Sequence, residues 1–272
     1  MCGLTGIIFG KKTRSKSELL FLKNLFTSMF IMSESRGHHA SGLVSLDITG
    51  KSTLYKLPVC PSRMVLLQGY RSVLNTLSNK TSVLLGHSRW RTVGSEHNNK
   101  NNQPLIIGSV LGTHNGTILN ASSLFEQFAL KRMAQVDSEV LFRMADCSLI
   151  EGSLNTSLYK RYLAQCEGNL SFVLVSRRDP EHVFIFKGDK PLSLFYNKDL
   201  QVIVYASLDS YIIESLVDMD GWYELTIEDN NILSTDFKDF NTLVSEPFYY
   251  KKVIPIKKKQ IKIPNIQGFL QF

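Results

Sequence analysis

Residues 1–9 read Met1-Cys2-Gly3-Leu4-Thr5-Gly6-Ile7-Ile8-Phe9. The run from Gly3 is almost wholly apolar and too short for a typical helix, so it is read as a buried strand that begins almost at the first residue. Outward from it, residues 17–34 put Leu19, Leu22, Leu25, Phe26, Met29 and Phe30 on one side, as a helix packed on a sheet does. Residues 43–57 read as two strands joined at Thr49-Gly50, Arg63–Leu77 as a helix and Ser82–His87 as another strand. The polar stretch Gly94–Gln103 is a surface loop, and the apolar run Leu105–Gly112 leads into His114-Asn115-Gly116. Helices are expected at 120–131, 138–149 and 154–166. Strands are expected at 170–176, 182–187, 192–196 and 202–206, then a helix at 210–217 and a short strand near 222–227. Strands in batches, separated by paired helices, point to an α+β fold of antiparallel sheets with helices outside.

The 272 residues are 43% apolar and 20% charged, a soluble globular composition. No run reaches the roughly 18 apolar residues that span a bilayer, and the nearest, Leu19–Met32, is interrupted by Lys23 and Asn24. No basic region precedes an apolar one at the start, so no secretory signal is read and a cytoplasmic protein is expected, with no membrane partner. Of the formal charge of +7, six units belong to the last 22 residues, which hold six lysines and no acid. The other 250 residues carry 25 basic and 24 acidic side chains, so no nucleic-acid surface is expected. Cysteines 2, 60, 147 and 166 show no metal-ligand spacing, and neither metal nor cofactor is expected. Cys147 and Cys166 fall in apolar helical stretches and read as inert core thiols.

Cys2 is different. Removal of Met1 from in front of a small residue leaves an α-amine on Cys2, whose pKa near 8 suits it to take the proton of its own thiol. Four further segments accompany it: Ser35-Arg36-Gly37-His38-His39-Ala40-Ser41-Gly42, Gly86-His87-Ser88-Arg89-Trp90-Arg91-Thr92-Val93-Gly94, His114-Asn115-Gly116-Thr117-Ile118-Leu119-Asn120, and Asp137-Ser138-Glu139-Val140. Each has an ordinary reading. Asn-Gly is a favoured turn dipeptide, Asp137 can be a helix cap, and Arg89 a surface charge beside an aromatic. Their joint order behind Met-Cys-Gly carries more weight than any one of them.

Together they resemble the class II, N-terminal-cysteine glutamine amidotransferase domain over about residues 2–210. The resemblance rests on the Met-Cys-Gly start, the Arg-Gly loop, the His-Ser-Arg-Trp segment, His-Asn-Gly and Asp-Ser-Glu, with Gln103-Pro104 in its usual place. It implies the four-layer αββα sandwich of N-terminal nucleophile (Ntn) hydrolases, and an enzyme that forms a glutamyl thioester on Cys2 and releases glutamate and ammonia. It further implies that the Asn115 amide and the Gly116 N–H hold the oxyanion, and that Arg89 clamps the substrate α-carboxylate. Asp137 then takes the α-ammonium, Trp90 and Thr92 complete the pocket, and Arg36 braces the loop around Cys2. Three positions depart from the family pattern: His39 stands where an acid is usual, and Arg91 and Val93 replace the small residue and the His of glucosamine-phosphate synthase.

The expected organisation is an amidotransferase domain at 2–250 and a basic, extended tail at 251–272. No P-loop or pyrophosphate-binding signature follows the domain, so the expected partners are glutamine and a separate ammonia-accepting synthetase. Two alternatives stay open: a free-standing hydrolase of another γ-glutamyl compound, and a catalytically silent binding or regulatory module.

Overall fold

The computed structural model describes residues 2–240 and 243–253. In chain order the first half runs β1 (Gly3–Phe9), α1 (Lys16–Met32), β2 (Ala40–Asp47), β3 (Ser52–Leu57), α2 (Pro61–Met64), α3 (Gln68–Asn75), β4 (Thr81–Arg89), β5 (Leu105–Ile107), β6 (Val110–Ile118), α4 (Ala121–Gln127) and α5 (Ser138–Cys147). A two-residue hairpin, β7 (Leu149–Ile150) and β8 (Ser153–Leu154), leads to α6 (Thr156–Leu163), β9 (Glu167–Ser176), β10 (Asp179–Lys187), β11 (Ser193–Asn197), β12 (Val202–Ala206) and α7 (Asp209–Ile213). The last elements are β13 (Trp222–Glu224), β14 (Asn231–Asp236), β15 (Val244–Pro247) and β16 (Lys251–Lys252).

These strands form two large sheets, ordered β13-β11-β12-β1-β4-β2-β3 and β15-β14-β10-β9-β6-β5. The pairings along both are antiparallel, while β16 joins β9 in parallel at Glu167 and Gly168. Every residue of β1 is buried, because both of its faces are covered. Ile7 and Phe9 meet Leu22, Phe26 and Phe30 of α1 on one side. Leu4 and Ile8 face Val173, Val175 and Ile185 of the opposite sheet on the other. Each such large apolar side chain contributes about 1.5–3 kcal/mol on burial. A third core packs Val140, Phe142 and Met144 of α5 on Phe172 and Phe186. Three cores between four layers make the αββα sandwich. Helix α1 starts where Ser15 and Glu18 form a reciprocal capping box.

Several expectations shift. Asn115-Gly116 is no turn: both residues lie inside β6, opposite Ser171 and Leu170 of β9. Arg63–Leu77 divides between α2 and α3, and the strands β14 and β15 had no clear signal. Cys166 is buried as expected, but Cys147 is exposed at the end of α5, where the helix face turns to solvent. Of the expected tail, Lys251–Val253 are described and lie hydrogen-bonded along β9, and residues 254–272 fall outside the described set. Among the described residues, no helix is long and apolar enough to cross a membrane.

Candidate active site

Cys2 sits immediately before β1, a central strand paired on both sides, so the rigid middle of a sheet fixes its position. The Arg36 Nε donates to the Cys2 carbonyl at 2.9 Å. Gly37 lets that loop lie on the end of β4, since a Cβ there would stand 2.5 Å from the Arg89 carbonyl carbon and 2.6 Å from the Trp90 nitrogen. The loop is locked further by the His39 N–H, which donates to the Arg89 carbonyl at 3.1 Å, and by the His39 Nδ1, which accepts from the Arg91 N–H at 3.1 Å. His39 thus does a structural job at the position where an acid was expected. The Cys2 thiol faces the Trp90 carbonyl at 3.7 Å, and the Trp90 ring is packed edge-on by His38 and His39.

The opposite wall comes from β6. Asn115 is buried, and its Nδ2 has no hydrogen-bond partner among the described residues. A buried amide without a partner is costly, and its presence is the mark of a group kept for something that binds. Gly116 has φ +147°, and a Cβ would meet the Asn169 carbonyl oxygen at 2.0 Å, so no other residue fits. A cavity of about 300 Å³ opens between the walls, lined by Cys2, Trp90, Thr92, Asn115, Gly116, Thr117, Asn169 and Lys190. Larger grooves, of about 570 Å³ between α4 and α6 and about 710 Å³ beside α1, hold neither Cys2 nor Asn115.

The Asp-Ser-Glu start of α5 ties this wall together. Asp137 is the N-cap residue of α5, but its side chain makes no cap bond; its Oδ2 accepts from the Ile118 N–H at 2.6 Å, at the end of β6. Ser138 Oγ lies 2.8 Å from the His114 Nδ1 and receives the Gln103 amide at 3.2 Å, while Gln103 also bonds both backbone groups of His114. Glu139, fully buried, accepts from the N–H groups of Met133 and Ala134 and pairs with Arg143 at 3.0 Å. Sequence reasoning quoted these residues without giving Gln103, Ser138 and Glu139 their bracing roles. It quoted Thr117 without a role and missed Asn169 and Lys190 altogether, because no local motif marks them.

Arg89 is buried behind the cavity. Its Nη1 donates to Asn102 Oδ1 at 2.8 Å, and its Nη2 to the carbonyls of Val93 and Gly94 at 2.7 and 2.8 Å. The side chain therefore holds the loop that carries Thr92. Burial pushes the Cys2 thiol above its ordinary range, with the Arg89 charge opposing. The thiol is consequently protonated at neutral pH and needs a base. Burial holds His87 far below the usual imidazole value, at about 3, and lowers His114 as well, so both rings are neutral. Among the described residues no group of three His, Cys, Asp or Glu side chains is placed to hold a metal.

The four-layer sandwich of two antiparallel sheets is the fold of the Ntn hydrolases. A family model of the glutamine amidotransferase domain matches residues 87–214. The 7-cyano-7-deazaguanine synthase of Saccharolobus solfataricus is 28% identical over 216 residues, 78% of this chain and 44% of that protein. The glutamine–fructose-6-phosphate aminotransferase of Lactococcus lactis is 26% identical over 196 residues, 71% of this chain and 30% of that protein. The chain thus spans less than half the length of these curated relatives. Among solved structures, the glutamine phosphoribosylpyrophosphate amidotransferase of B. subtilis shares the fold, with a TM-score of 0.64 and 22% identity over 91% of this chain and 49% of that one. A glutamine aminotransferase class-II domain protein from Silicibacter pomeroyi has a TM-score of 0.53 at 14% identity, over 91% of this chain and 99% of that one.

Proposed function

We propose that the protein hydrolyses the side-chain amide of glutamine through a Cys2 thioester and delivers the ammonia to an acceptor synthetase acting in trans. The observation that carries the reading is the Cys2 thiol and the unbonded Asn115 Nδ2 lining one cavity. With Met1 removed, the Cys2 α-amine takes the thiol proton and Sγ attacks the amide carbon. The oxyanion forms against the Asn115 Nδ2–H and the Gly116 N–H. The α-ammonium returns its proton to the amide nitrogen, the C–N bond breaks and ammonia leaves a glutamyl thioester. The same amine then deprotonates water, which attacks the thioester and releases glutamate and the thiol.

Trp90 and Thr92 flank the substrate, and Arg36 braces Cys2. Asp137 receives the α-ammonium on the oxygen that Ile118 leaves free. Arg89 reads the α-carboxylate by exchanging loop carbonyls for substrate oxygens, a geometry suited to its planar fork. The relatives support the acceptor: one is a synthase and one an aminotransferase, and the matched region is under half of each. Glutamate release from glutamine, measured on protein whose mass shows Met1 removed, tests the reading. Diazo-oxo-norleucine should label Cys2. No glutamate release, or labelling at Cys60 or Cys147 instead, overturns it.

A further inference from the structure

The second wall of the cavity is tied to the last described residues of the chain. Segment 248–253 leaves the edge strand β15, passes β14 and β10 in the sheet order and joins β9 where β10 no longer covers it. The Lys251 N–H donates to the Cys166 carbonyl at 2.9 Å and the Val253 N–H to the Gly168 carbonyl at 3.0 Å. Phe248 and Tyr250 are buried in the outer core, Phe248 edge-on to Phe186. The Tyr250 hydroxyl donates to Asp189 Oδ1 at 2.8 Å and accepts from the Asp189 N–H at 3.0 Å.

Asp189 is the hub. Its Oδ1 also accepts from the Leu170 N–H at 3.0 Å, and its Oδ2 from Asn169 Nδ2 at 2.6 Å. The same Asn169 amide reaches the Val253 carbonyl at 3.1 Å. Burial alone would push the Asp189 carboxyl up, yet Tyr250, Leu170 and the neighbouring Lys190 hold it below the usual carboxylate range. With its oxygens engaged, Asp189 keeps Lys190 only at 3.6 Å. That leaves the ammonium with donors unspent, on the wall of the cavity that holds Cys2. Among the described residues, Lys190 is the one cationic side chain lining that space.

We propose that Tyr250 is a positioning residue for substrate binding, acting through Asp189 to keep Lys190 and Asn169 presented to the cavity; this rests on the glutaminase reading. Without the hydroxyl, Asp189 Oδ1 loses its strongest donor and draws Lys190 into a close ion pair, away from the substrate. The nucleophile and oxyanion groups lie on other strands and keep their geometry. Substrate affinity changes and the chemical step does not. Any partner that lifts 251–253 from β9 acts on the site by the same route.

The test uses the full chain with Tyr250→Phe, which keeps the buried ring, beside Lys190→Met and the double variant. Tyr250→Phe should raise KM for glutamine by about tenfold with kcat changed by less than about twofold, a split that general destabilisation does not give. Lys190→Met should raise KM similarly, and the double variant should be no worse than Lys190→Met, since the two act in series. An active wild type with unchanged KM in Tyr250→Phe, or additive effects in the double variant, overturns the proposal. If Tyr250→Phe does not fold, an unchanged KM in Lys190→Met overturns it equally. A wild type that releases no glutamate defeats the glutaminase reading itself, and the proposal with it.

Discussion

The two walls of the cavity are built by different means. The wall around Cys2, made of loop 36–39 and segment 89–94, is close-range backbone packing, with Gly37 seated on β4 and carbonyls gripped by Arg36 and Arg89. Contiguous residues do this, so it leaves motifs. The wall of Asn115, Gly116, Asn169 and Lys190 is made by the register of β6 on β9 and by a hub fed from the far end of the chain. Residues as far apart as Tyr250 and Asp189, or Asn169 and Val253, leave no motif. The first wall is a matter of local chemistry, the second of sheet assembly.

That contrast can be broken in order of expected effect. Cys2→Ala should cut glutamate release by about 10⁴-fold or more, with the circular dichroism and melting temperature unchanged, since the thiol lines a cavity and supports no core. Activity retained in this variant would remove the first wall from the chemistry. Asn115→Ala should lower kcat by about 10²–10³-fold. Because the Nδ2 of Asn115 bonds nothing among the described residues, chemical denaturation of the variant should show no matching loss of stability. A stability loss with kcat intact would make Asn115 structural and leave the second wall without a catalytic group.

Arg89→Lys and Asp137→Asn sharpen the boundary between the walls. Each should raise KM by about tenfold, Arg89 more than Asp137, because Lys cannot hold Asn102 and the carbonyls of Val93 and Gly94 at once. Steady-state kinetics on both variants reads this, and unchanged KM values place substrate recognition elsewhere. The smallest effect concerns pH. His87 is neutral in the fold, with its pKa lowered to about 3, while the unfolded chain binds a proton near 6.5. Below about pH 6.5 the unfolded state therefore takes up more protons, and stability falls as pH drops toward 3. Urea midpoints from pH 7 to 4 should decline less steeply in His87→Gln, and parallel declines would show that His87 contributes nothing to the acid response.

The order of strands and helices was legible because each short element carries its own period. The buried run at Gly3–Phe9 and the one-sided pattern of α1 have the same bounds, within two residues, in sequence and structure. The strands β14 and β15 were not legible, since β15 is an exposed edge of four residues with no apolar face to mark it. Asn115-Gly116 misled for a related reason. The dipeptide favours a turn when nothing else acts on it, but β9 supplies a partner strand, and the positive φ of Gly116 is spent on clearing the Asn169 carbonyl.

The sequence by itself marked Cys2 as the candidate nucleophile, Asn115 and Gly116 as oxyanion candidates, and the layered α+β class, because such groups and the fold period are properties of particular side chains and short segments. Only the tertiary structure decided which of those side chains share a cavity. It bonded Arg89 to the carbonyls of Val93 and Gly94 and Asp137 to the Ile118 N–H, both close enough to act on the Cys2 thiol by charge. It also brought Asn169, Lys190 and Tyr250 to that cavity or its support. The physical reason is that hydrogen-bond register across a sheet is set by the whole pattern of burial on both faces, which no single segment contains.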